Sequence, residues 1–331
     1  MDAARRSPRW PDRALAPFRP AAAPLRPDKF RDPAVTASGE ARARVRMRAL
    51  DVLWFNTGTR CNLACANCYI ESSPKNDSLA YLTAAEVGAF LDEVAHLGLP
   101  TRTIGFTGGE PFLNRGLPAM LGDALGRGHT ALVLTNGMRP MRRREAGLLA
   151  LRERYGHRLE LRVSLDHHTA AAHEAERGPG SFAAACDGLA WLAAQNFHVA
   201  IAGRRLSGEP EVQARAGYGA LLHRLGLRLD AGDPNRLVLF PEMDPDADTP
   251  EITQACWGIL GLDPDSVMCA SSRMVVKRRD ADRLSVVACT LIPHDPGFDF
   301  GPGLAGALGE VALNHPNCAR FCVLGGASCG G

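Results

Sequence analysis

Long apolar runs, lysine and aromatic side chains are all scarce in this 331-residue chain. No stretch reaches the roughly 18 consecutive apolar residues that a membrane helix needs. The N-terminus carries Arg5, Arg6 and Arg9 but no apolar segment of the kind a secretory signal requires, so a cytoplasmic setting is expected. Lysine stands only at positions 29, 75 and 277, which leaves arginine to carry the basic charge, as a GC-rich coding sequence would. The net charge is only +2, so no global attraction to a polyanion is expected and nucleic acid is not an expected partner. Ten cysteines are too few for a disulfide scaffold in a chain of this length. Without an export signal, metal ligation is their expected use.

What is present fits a globular protein with a sizeable core: 46% hydrophobic and 22% charged residues. Residues 1–45 are rich in Arg, Pro and Ala without periodicity and read as a mobile arm. From about 46 to 245, apolar runs at 49–55, 103–106, 131–134, 159–165, 198–202 and 236–240 alternate with amphipathic stretches at 84–97, 117–127, 142–155, 182–195 and 211–225. Thr83 followed by Glu86 is a capping box opening the first of those helices. Six strand–helix units imply an α/β fold with a parallel sheet, short of the eight of a closed barrel, hence a partial (β/α)6 TIM-like barrel. Residues 243–246 read as a linker into a cysteine-rich extension, 246–331, with a hairpin at 274–277 and 284–288. In such sheets the chemistry gathers at the C-terminal ends of the strands.

Cys61, Cys65 and Cys68 form a C-x3-C-x2-C run just after the first strand. Three thiolates hold three irons of a 4Fe–4S cluster and leave the fourth iron open. The competing reading is a zinc knuckle, but structural zinc wants four ligands and no fourth Cys or His lies close by. Thr107-Gly108-Gly109-Glu110-Pro111 follows the second strand, where two glycines allow close approach and Glu110 can receive an ammonium group.

With Thr135-Asn136-Gly137 and Ser164-Leu165-Asp166 after the third and fourth strands, these motifs resemble the radical S-adenosylmethionine (SAM) superfamily over about 50–245. The resemblance implies that the three cysteines bind a 4Fe–4S cluster, that SAM chelates its open iron, and that Gly108, Gly109 and Glu110 meet the SAM amino group. It implies SAM contacts for Ser164 and Asp166, and for Arg204 after the fifth strand. It further implies reductive cleavage of SAM to a 5′-deoxyadenosyl radical that takes a substrate hydrogen, with an external one-electron reductant of flavodoxin or ferredoxin type. Asn67 stands where the family usually has an aromatic residue, and Gly203-Arg204-Arg205 where its fifth strand usually ends in an Asn-like residue.

Cys269 and Cys289 flank the hairpin, and Cys318 and Cys322 follow as C-x3-C, with Cys329 beyond. This resembles the SPASM/Twitch extension, which implies one auxiliary 4Fe–4S cluster on Cys269, Cys289, Cys318 and Cys322, with Cys329 as substitute or extra ligand. That extension usually has C-x2-C instead; zinc or free thiols are the competing readings. Cys186 and Cys256 read as core residues, Tyr69 as packing over the cluster or simply packing, and His167-His168 as loop histidines. Ser328-Cys329-Gly330-Gly331 ends the chain and leaves open whether the tail enters the barrel. The substrate class is a peptide or protein side chain or a small metabolite. The rival from another class is a non-catalytic iron–sulfur redox or sensor protein whose basic arm binds nucleic acid.

Overall fold

A computed structural model describes residues 21–206, 208–242 and 247–327; the expected linker at 243–246, Cys329 and the terminal glycines lie outside them. Along the chain run β1 (Val52–Asn56), α1 (Ala84–His96), β2 (Thr103–Thr107), α2 (Leu117–Gly126), β3 (Thr130–Thr135), α3 (Glu145–Tyr155), β4 (Leu159–Ser164), α4 (Ala170–Arg177), α5 (Ser181–Ala194), β5 (His198–Arg205), α6 (Glu211–Arg224) and β6 (Leu237–Pro241). The six strands pair in parallel and in sequence order. This is the expected partial barrel. All five residues of β1 are buried, as a strand covered on both faces requires. Phe55 stacks on Phe106 at 5.8 Å and meets Phe90 of α1 edge-on, which ties strands to helix layer.

Helix α1 begins where the sequence marks it. Thr83 Oγ1 accepts from the Glu86 N–H at 3.2 Å, and Glu86 accepts from the Thr83 N–H at 2.7 Å. Val87, Phe90, Leu91 and Val94 recur at helical spacing and form its buried face.

Two departures reorganise the picture. The hairpin, β7 (Ser272–Val276) and β8 (Ser285–Val287), does not form a separate layer. β7 pairs in parallel with β1, and β8 pairs antiparallel with β7, giving one eight-stranded sheet. A first strand otherwise has an unpaired edge, and fully buried β7 satisfies it. The second departure concerns residues 25–45, expected as part of an arm. Ala43 and Val45 are completely buried, and Arg44–Val45 pairs with Val311–Ala312 of the extension. Buried Arg42 donates to Glu251 and to the carbonyls of Asp32 and Val35. The partner lies 209 residues away, so composition alone reads the segment as a loose tail.

Candidate metal and cofactor site

The chain leaves β1 through Thr57–Arg60 and immediately meets the end of β2. Gly109 donates to the Gly58 carbonyl at 2.8 Å and Glu110 N–H donates to the Arg60 carbonyl at 3.1 Å. A Cβ on Gly109 would sit 2.2 Å from the Arg60 carbonyl oxygen, and one on Gly108 2.6 Å from that of Gly58. Both glycines are therefore required by the close approach of two backbones. That contact fixes the cysteine loop against the Gly-Gly-Glu turn.

Within the loop Cys61 is buried, and Cys65 and Cys68 are half-buried. The Leu63 N–H donates to Cys61 Sγ at 3.4 Å and the Ser72 N–H to Cys68 Sγ at 3.3 Å, contacts that suit a thiolate. Burial pushes the Cys61 thiol up to about 12, with Glu110, Cys65 and Cys68 adding to it. Burial also raises Cys65, opposed by the Arg177 guanidinium. Loading with iron must therefore release protons. Three thiols, two of them met by N–H···S donors, and a neighbouring cation fit an iron–sulfur cluster that has an unligated iron.

Helix α4, absent from the sequence-based expectations, grips this loop. The Ala66 N–H donates to the Glu176 carbonyl at 2.9 Å. The Asn67 N–H and Nδ2 donate to the two Glu176 carboxylate oxygens at 2.8 and 3.0 Å. Asn67 thus replaces an aromatic contact with a two-point polar clasp. Arg177 next to it donates to both oxygens of buried Asp166 at 2.6 and 3.1 Å. Although burial opposes it, Arg177 holds the Asp166 carboxyl below the ordinary value. Asp166 therefore faces Arg177 and orients that cation towards Cys65. The cue for α4 was its Ala-, Glu- and Arg-rich composition stopped by Gly178; its one buried side chain is His173, and it carries no large apolar residue.

Glu110 is 1% exposed and accepts from the Asn136 N–H at 2.9 Å, Thr135 Oγ1 at 2.9 Å and the Phe112 N–H at 3.2 Å. Burial lifts its carboxyl to about 7 against these donors. A carboxylate offers about four acceptor positions, so roughly one remains for an ammonium. Asn136 Nδ2 donates to Asn62 Oδ1 at 2.9 Å, which joins the Thr135-Asn136 turn to the cysteine run. Ser164 ends β4 in register with Ala202 of β5. Arg204, expected after the fifth strand, is the last residue but one of β5, 8% exposed, with Nη1 3.4 Å from Glu176 and its guanidinium 5.9 Å from the Tyr69 ring centroid. Cys61, Glu110, Asp166 and Arg204 thus share one end of the sheet. Tyr69 packs edge-on to Phe321, between Cys318 and Cys322, and so links the two cysteine regions.

In the extension Cys269, Cys289, Cys318 and Cys322 line one cavity with Val267, Met268, Leu291, Ile292, Phe298, Val311 and Leu313. All four are buried. Residues Cys318–Val323 form a π-helical turn, which widens the spacing between same-face residues and turns Cys318 and Cys322 to the same cavity. Burial raises Cys269 to about 11 and Cys318 well above the ordinary thiol. This donor set fits a closed, four-thiolate cluster.

The single residues resolve differently. Cys186 is 6% exposed in α5, within the main core. Cys256 is half-buried and packs against the extension's core beside Trp257. His167 lies in the loop after β4 but is buried, not exposed, and sits 3.4 Å from Glu209. The His167 and His168 rings lie 4.0 Å apart at 31°, and with Glu209 they bring three potential ligand atoms within 4.8 Å of one another. No helix among the described residues is long and apolar enough to cross a membrane.

An α/β sheet that carries an incomplete cysteine triad at the end of its first strand defines an iron–sulfur scaffold with an open cofactor site. A sequence profile described as the radical SAM superfamily matches residues 55–211, and this region of the chain belongs to that superfamily. The Bacillus subtilis antilisterial bacteriocin subtilosin biosynthesis protein AlbA is 31% identical over 169 residues, 51% of this chain and 35% of that protein. The chain thus spans about a third of this curated relative's length. Among solved structures, native anSMEcpe with bound AdoMet superposes with a TM-score of 0.55 at 14% identity, covering 77% of this chain and 79% of that one. Streptococcus suis SuiB bound to S-adenosylmethionine gives 0.53 at 8% identity, over 76% and 63%. At such identities the two structures support the fold.

Proposed function

We propose that this chain reductively cleaves SAM and uses the resulting radical to take a hydrogen from a peptide or protein side chain, with a small metabolite as the second substrate class. The observation that carries the reading is the cysteine loop clasped between the Gly-Gly-Glu turn and α4. It sets three thiols and buried Glu110 at one end of the sheet. A 4Fe–4S cluster held by Cys61, Cys65 and Cys68 supplies the low-potential electron, delivered by a flavodoxin- or ferredoxin-type donor. The chain's own residues do the rest. Glu110 receives the SAM ammonium on its remaining acceptor position. Gly108 and Gly109 keep that end of the site narrow. Arg204 and Ser164 face the carboxylate or ribose, and Asp166 acts through Arg177 by fixing the cation beside the thiolates. Cys269, Cys289, Cys318 and Cys322 hold an auxiliary cluster of SPASM/Twitch-like kind. The likeness to AlbA, whose name places it in bacteriocin biosynthesis, supports the peptide class over the metabolite.

The test is anaerobic reconstitution with iron and sulfide, followed by reduction in the presence of SAM. The protein should release 5′-deoxyadenosine, and a Cys61/Cys65/Cys68→Ala triple variant should not. Equal release by both refutes the reading. Spectral change on reduction without any release points instead to an electron-carrying or sensing protein.

A further inference from the structure

Arg273 lies in β7, in the extension that carries the second set of cysteines, and its residue is 0% exposed. Its guanidinium donates to backbone carbonyls alone: Nε to Ala307 at 2.7 Å, Nη1 to Cys269 at 2.6 Å and Ser272 at 2.8 Å, and Nη2 to Gly309 at 2.7 Å. Its flat face lies 5.0 Å from the Phe300 ring centroid. Among the described residues no carboxylate pairs with it, whereas the other fully buried arginine, Arg42, has Glu251. Hydrogen bonds to carbonyls satisfy the N–H groups but leave the charge unbalanced, and an uncompensated buried charge is costly. Nη1, bound to the Cys269 carbonyl, sets this charge beside the second group of cysteines. As neutral thiols they offer no counter-charge; as ligands of a cluster they do. A 4Fe–4S core on four thiolates is net anionic, and each reducing electron adds negative charge.

We propose that Arg273 is the built-in counter-ion of an iron–sulfur cluster held by Cys269, Cys289, Cys318 and Cys322, and that it sets that cluster's reduction potential upward. This rests on the auxiliary-cluster reading above. The guanidinium stabilises the anionic cluster, and the reduced form more than the oxidised one, because net charge around a cluster moves its potential. It acts through space and through the backbone of Cys269, so it is a positioning and tuning residue and not a ligand. Before iron is loaded, the same cation is a liability held in place by four carbonyls.

The experiment uses the full chain carrying Cys61/Cys65/Cys68→Ala, so that only the second site can hold iron. After anaerobic reconstitution, a redox titration followed by electron paramagnetic resonance gives the midpoint with Arg273, Arg273→Met and Arg273→Lys. The Met variant should titrate at a distinctly more negative potential, and the Lys variant should stay close to the parent because it keeps the charge. The thermal midpoint gained on loading iron should also be smaller in the Met variant than in the parent. That difference cancels packing and hydrogen-bond losses common to both states. If the Met variant does not fold, Arg273→Gln serves in the same two measurements. An unchanged midpoint and unchanged gain on loading overturn the role of Arg273. A Lys variant shifted as far as the Met variant also overturns it, by assigning the effect to shape and not charge. Failure of the parent with intact Arg273 to hold iron at the second site overturns the auxiliary-cluster reading itself, and this proposal with it.

Discussion

The two cysteine regions are built on opposite plans. The first places three thiols in a half-exposed loop, surrounded by Glu110, Asp166, Glu176, Arg177 and Arg204. The second encloses four thiols in an apolar cavity with the buried, carbonyl-bound Arg273 behind it. Metal sites that do chemistry leave a coordination position open, while closed sites serve structure or electron storage. The polar belt of the first region is what a charged, multiply hydrogen-bonding cofactor needs. The dry wall of the second excludes such a cofactor.

The comparison breaks most visibly if the closed site is emptied. A Cys318→Ala, Cys322→Ala double variant should lose the extension's iron and several kcal/mol of stability, because the metal's binding energy there is folding energy. It should keep iron at Cys61, Cys65 and Cys68. Iron content with a thermal melt checks both halves, and loss of all iron would show that the regions are not independent. Next in size, Glu110→Gln should weaken SAM binding about 10–100-fold, as expected for the loss of a charge-assisted hydrogen bond. Equilibrium binding of SAM to the loaded protein measures it.

The same carboxyl gives a pH signature. Its value in the fold, about 7, lies above the ordinary 4.5. Its contribution to stability is then fully present below about 4.5 and is lost as pH rises through about 7. Thermal midpoints of the metal-free protein should fall over that window, and those of the Gln variant should fall less. A smaller effect belongs to the clasp. Glu176→Ala removes two hydrogen bonds to Asn67 and should speed loss of the first cluster to a chelator about tenfold, with second-site iron unchanged. Smallest of all, Cys186→Ala should leave iron content unaltered and cost about 1 kcal/mol of stability, readable in a urea melt.

How much of this could be read from the sequence follows the range of the interactions. The strands and α1 are set locally, by apolar runs and by the Thr83–Glu86 box, and both appear where the pattern puts them. The cysteine run and Glu110 were legible because a motif and its place after a strand suffice. The clasp by α4 was not, because an eight-residue helix of Ala, His, Glu and Arg carries no large apolar side chain to mark it. Asn67 looked like a defect in the motif until Glu176 supplied its partner. The packed segment 25–45 was hidden for the same reason, since Arg42 reads as one more arginine without Glu251 beside it. The joining of β7 to β1 was likewise beyond reach, as nothing near residue 272 names its parallel neighbour.

The central claim is that one chain holds two clusters with different ligation and that SAM chemistry belongs to the first. Iron content and 5′-deoxyadenosine release, measured in parallel on the parent and the Cys61/Cys65/Cys68→Ala variant, test it most directly. The account predicts that the variant keeps about half of the parent's iron, one 4Fe–4S cluster in place of two, and releases no 5′-deoxyadenosine. A variant that keeps all the iron, or that still cleaves SAM at the parent's rate, would contradict it.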